Sequence, residues 1–158
     1  MSIILNNWVA TTVFKRPHSY FDGYLSFASS IELLPHEAEC MDSCLDMMEG
    51  ALRTDGFGHP PLHAAVFFTA NGDLSLSFQH SHYLGMHQSS IIFAVERWRK
   101  LCLDTTQIMV IMMEEFCHCF YLIWDEDFVK EKVTQIFGIY FPGISRSSLY
   151  KRFEDPAR

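Results

Sequence analysis

Glu114, Glu115 and His118 sit close together in the stretch from Ile108 to Trp124, whose apolar residues favour a helix. Four residues apart, Glu114 and His118 lie on one helix face and can meet at one cation, while Glu115 projects about 100° around the axis. Imidazole nitrogens and carboxylate oxygens are ligands for divalent metals, and a carboxylate beside such an ion can act as a general base. The chemistry this pattern offers is the binding of a divalent cation. The same spacing also suits a plain ion pair on a partly exposed helix face, so a non-enzymatic reading stays open.

The other reactive residues form weaker constellations. His80 and His82 alternate onto one face of an expected strand, with His87 nearby in sequence, but two histidines at a strand end are the simpler reading. Glu115-x-x-His118 has the spacing of helical di-iron sites, which need a second copy that the chain lacks. Cys117, His118 and Cys119 point about 100° apart on a helix and cannot form a compact zinc knuckle. Cys40 and Cys44 lack a paired half at usual spacing. Cys102 or Cys117 could serve a Cys-His nucleophile, but no local feature selects either. Five cysteines at helical spacings indicate reduced, mostly buried thiols.

These residues need a scaffold, and several elements are legible. From Pro35, a favourable first helical residue, Ala38, Met41, Leu45, Met48 and Leu52 recur at three and four residues, with Gly56 and Gly58 past the helix end. Leu62 to Thr69 and Leu74 to His80, around Asn71-Gly72, read as a hairpin with Leu74, Leu76 and Phe78 facing the core. Ile91 to Val95 reads as a third strand, and strands near 8–14 and 23–28 are weakly signalled. Thr105 or Thr106 would cap the helix through Ile108, Ile111, Met112, Cys119 and Leu122, apolar on more than one side and therefore central. Asp125 would cap a following helix with the stripe Phe128, Val129, Val133, Ile136 and Phe137, before a break at Pro142-Gly143 and a charged tail.

A length of 158 residues with 49% hydrophobic residues suits one domain, residues 1–158, with an ample core. The net charge of −7 and a single basic run, Arg97 to Lys100, argue against nucleic acid or an anionic membrane as partner. The longest apolar run, Ile108 to Met113, is far short of the roughly 20 residues that cross a bilayer. The first residues lack the pattern of a secretory signal. The expected location is cytoplasmic.

The segment Glu114-Glu115-x-x-His118 resembles the His-Glu-x-x-His helix of the zincin metallopeptidases, with Glu115 and His118 matching and Glu114 standing where the first histidine belongs. The order of elements over roughly residues 35–140 is also similar to the minimal core of that family. The resemblance implies an α+β fold in which a small, mostly antiparallel sheet packs on the central motif-bearing helix. It implies metal ligation by His118 and Glu114, a water-polarising role for Glu115, and a third ligand beyond the motif, for which Glu126 is preferred. A straight helix would put Asp125 about 10.5 Å along the axis from His118, so this ligand requires a bend after Trp124. The cofactor implied is zinc or another divalent metal, and a carboxylate in place of an imidazole favours harder ions such as Mn²⁺. The resemblance leaves two functions open: a metal-dependent peptidase acting on a peptide ligand, or an inactive relative that binds another protein without metal.

Overall fold

The computed structural model describes residues 19–74 and 89–151. After a short 3-10 turn, strand β1 (Leu25–Ser29) leads to helix α1 (Pro35–Thr54) and strand β2 (Ala64–Thr69). Strand β3 (Ser89–Ala94) runs directly into the short helix α2 (Val95–Lys100). Helices α3 (Thr105–Tyr121), α4 (Glu126–Tyr140) and α5 (Arg146–Tyr150) complete the order. The α+β class is as expected from the sequence.

The sheet differs from expectation. Among the described residues its order is β1-β2-β3, and both pairings are parallel, with Phe27 opposite Val66 and Phe68 opposite Phe93. The expected antiparallel hairpin partner from Leu74 to His80 lies, beyond Leu74, outside the described residues, as does the strand near 8–14. Parallel pairing of β1 with β2 has a direct cause: the 20-residue helix α1 connects them, and such a crossover returns the chain in the same direction. Every residue of β2 is buried, the pattern of a parallel strand covered on both faces. Gly72 does make a turn with φ +90°, and its N–H donates to Thr69 Oγ1 at 2.7 Å.

The helices follow their hydrophobic spacing. Ala38, Met41, Leu45, Met48 and Leu52 are all buried on α1. Its start is held by Glu37, which accepts from the Leu34 N–H at 2.8 Å. Helix α3 is capped by Asp104, one residue before the expected threonines. Asp104 Oδ1 accepts from the Gln107 N–H at 3.0 Å, and Gln107 Oε1 accepts in return from the Asp104 N–H at 3.1 Å. Asp125 caps α4 as expected, accepting from the Asp127 and Phe128 N–H groups. Val129, Val133, Ile136 and Phe137 are buried, but Phe128 is 64% exposed and lies off the core stripe. Among the described residues, no single helix is long and apolar enough to cross a membrane.

A polar clamp ties the ends of α1 and α3 to the middle of α4. Asp55 Oδ2 accepts from Lys132 Nζ and from the Tyr121 hydroxyl, each at 2.7 Å, and Lys132 also lies 4.2 Å from the centre of the Tyr121 ring. The hydrogen bond from Lys132, then that from Tyr121, hold the Asp55 carboxyl below its usual value. A carboxylate with a depressed folded-state pKa stabilises the fold above its unfolded pKa of about 3.9, and that stabilisation is lost as pH falls through the folded value. Asp55→Asn is therefore expected to melt below wild type at neutral pH and to converge with it in acid. Thermal unfolding between neutral pH and strong acid checks this, and a gap that persists undiminished in acid contradicts it.

Candidate functional site

The site is made by the way α3 ends. Phe116 and Phe120 are buried, and Phe116 packs edge-on against Phe93 of β3 with ring centres 6.5 Å apart. This fixes the rotation of the helix and leaves Glu114, Glu115 and His118 half-buried. Leu122 then adopts the left-handed conformation with φ +54°, breaking the helix one turn after His118. Helix α4 leaves at 109° to α3. This is the bend that a ligand from beyond the motif requires, placed at Leu122, just before the expected point.

The break has two consequences for His118. The Ile123 carbonyl falls 2.6 Å from Nδ1, and a carbonyl can only accept, so Nδ1 carries a proton. The other nitrogen, Nε2, faces Glu126 Oε1 at 3.7 Å. An imidazole fixed through Nδ1–H on a backbone carbonyl is the arrangement that presents Nε2 to a metal. Glu126 itself is 71% exposed on its side chain, with room to rotate toward or away from the ring.

The two neighbouring carboxyls stand in different surroundings. Burial raises the Glu115 pKa, with His118 opposing the shift and Glu126 adding to it. Burial also raises Glu114, opposed mainly by the Tyr150 hydroxyl of α5, while Glu126 adds to the rise and Lys130 opposes it. The carboxyl on which His118 acts is thus Glu115, three residues earlier, whereas Tyr150 acts on Glu114. Both acids line a cavity on the β3 side of α3.

Among the described residues, no group of three His, Cys, Asp or Glu side chains is gathered closely enough to hold a metal as it stands. The pair that converges is His118 with Glu126. No known family, curated protein or solved structure matches the chain.

The remaining reactive residues divide clearly. His80, His82 and His87 lie outside the described residues. Burial pushes the Cys117 thiol up to about 12 and the Cys119 thiol up to about 11, which leaves neither as a thiolate nucleophile at neutral pH. Cys40 and Cys44 donate to the Thr105 and Met109 carbonyls and help seat α1 on α3. No residue type signals the Ile123 carbonyl, a backbone group placed by the break. Tyr150 belongs to the segment expected as a charged tail. The box in which Ser145 Oγ accepts from the Ser148 N–H marks the short helix that carries it.

Proposed function

We propose that the chain is a zincin-like, metal-dependent hydrolase acting on peptide bonds. The observation that carries this reading is the imidazole of His118, tied by Nδ1 to the Ile123 carbonyl with Nε2 turned to Glu126. The donor set fits a divalent ion that accepts one imidazole and carboxylate oxygens. His118 Nε2 and Glu126 would hold it, with Glu114, four residues before His118 and within the field of Glu126, as the third ligand. When bound, such an ion supplies Lewis acidity toward a carbonyl oxygen and toward water. Glu115 has the general-base role: its carboxyl, raised by burial, takes a proton and returns it to the departing amine.

Elemental mass spectrometry on protein purified without chelators or a histidine tag tests the reading. The expected result is about one divalent ion per chain, lost in His118→Ala, because no preformed site survives loss of its best ligand. Glu115→Gln should retain the ion and lose hydrolysis. Wild type free of metal would falsify the hydrolase.

A second reading is favoured by one further observation. Leu122, Trp124 and Phe128 are 57%, 78% and 64% exposed around the α3–α4 bend, an apolar surface of the kind that contacts proteins. A non-enzymatic interaction domain would use this face and carry no stoichiometric metal.

A further inference from the structure

A cavity of about 390 Å³ extends from Glu114 and Glu115 to β3, α2 and the turn beyond it. Its walls are mostly apolar: Ile92, Trp98, Leu101, Leu103 and Ile111 line it, with Ile92 and Leu101 left 37% and 49% exposed. One lining group is a cation, Arg97.

Three cations lie on α2, and two are engaged. Arg99 pairs with Glu37 at 2.7 Å, and Lys100 lies 3.9 Å from Glu96. The Arg97 side chain is exposed and, among the described residues, makes no ion pair or hydrogen bond. The charges acting on Glu114 and Glu115 come from His118, Glu126 and Lys130 and from Glu115 itself, not from Arg97. The guanidinium lines the same cavity as the two acids without pairing with either. The cavity thus combines one cation, apolar walls and two acids.

A guanidinium fork is built to take a carboxylate in two parallel hydrogen bonds. A peptide's last residue presents an α-carboxylate and a side chain on the same carbon, one amide away from the preceding carbonyl. An acidic side chain would instead bring a second charge against the apolar walls, where nothing compensates it.

We propose that this cavity receives the C-terminal residue of a peptide, with its α-carboxylate on Arg97 and an apolar side chain against Ile92, Leu101 and Ile111. The inference rests on the hydrolase reading and narrows it to release of the terminal residue. Water adds across the last peptide bond: the carbonyl carbon gains the hydroxyl, the C–N bond breaks, and the amine of the leaving amino acid gains the proton.

Isothermal titration of metal-stripped protein with acetyl-Gly-Ala-Leu, as the free acid and as the C-terminal amide, tests the pocket apart from the metal. The free acid is expected to bind about tenfold or more tighter than the amide, the gain of a charge-assisted bond. Arg97→Gln should abolish that difference, Arg97→Lys should restore part of it, and Leu101→Asp should weaken both ligands. Equal binding of acid and amide, no binding of either, or a preference that survives Arg97→Gln overturns the proposal. A protein that holds metal without preferring the acid refutes this inference alone. One that prefers the acid but holds no metal refutes the hydrolase and keeps the carboxylate pocket.

Discussion

Arg99→Leu is expected to destabilise the protein by about 3–5 kcal/mol, and Glu37→Gln by less, although both remove the same ion pair. Glu37 is fully buried, accepting from the Leu34 N–H and from Arg99 Nε and Nη2 at 2.8, 2.8 and 2.7 Å. Arg99 retains 33% side-chain exposure and also donates to the Glu32 carbonyl at 2.8 Å. The two partners are unequal in what they leave behind. Without Arg99, a carboxylate with no route to water keeps one backbone donor, whereas without the Glu37 charge the guanidinium can swing into solvent. With each kcal/mol worth about 2–4 °C at this chain length, Arg99→Leu should lower Tm by roughly 6–20 °C. The double variant Glu37→Leu/Arg99→Leu should recover part of the loss, since no charge is then stranded. If Glu37→Gln costs as much as Arg99→Leu, stranding of the buried carboxylate is not the main source of the loss. The pair also bears on the proposed carboxylate pocket, because it fastens α2, the carrier of Arg97 and Trp98, to the start of α1.

The elements governed by short-range periodicity were legible in the sequence. The five apolar positions from Ala38 to Leu52 face the core, and Asp125 caps its helix, because both follow from neighbours within one or two turns. The cap of α3 fell one residue early since Asp104 has a carboxylate for the Gln107 N–H and Gln107 reciprocates, a better box than either threonine offers. Strand direction was the least legible feature. Asn71-Gly72 signals a turn, and Gly72 makes one, but a turn does not say which strands pair, and β2 pairs instead with β1 and β3, far away in sequence. The unbroken run from Ala64 to Phe68 was the available sign of a strand buried on both faces.

The candidate site divides along the same line. That Glu114 and His118 share one face of α3, with Glu115 about 100° around the axis, follows from helical geometry alone. That His118 is turned by the Ile123 carbonyl, and meets Glu126, depends on the left-handed residue Leu122, where a non-glycine residue gives no sequence warning. Tyr150 and Arg97 reach the site from α5 and α2 through tertiary packing, so no local spacing could connect them to it.

Glu114→His is expected to tighten zinc binding by at least the order of 10–100-fold that outer-shell changes around a metal produce, and to shift selectivity from manganese toward zinc. The carboxylate at 114 adds negative charge to a region that already contains Glu115 and Glu126. Burial raises the Glu114 pKa first, and repulsion from both of those acids adds to the rise. That charge makes a bound ion a weaker acid toward water and a better match for a hard cation. An imidazole at 114 keeps the i, i+4 geometry with His118 while supplying a neutral, softer donor. The cost is local: the Tyr150 hydroxyl, which now opposes the upward shift of Glu114, must find another acceptor or solvent. Competition titration against a zinc chelator, with manganese in parallel, reads the change in both ions. A large gain for zinc with little for manganese means that position 114 faces the ion and that its carboxylate sets the metal preference. Unchanged affinity for both ions means that Glu114 serves Tyr150 and not the ion, and that the ligands must be sought around His118 and Glu126 alone.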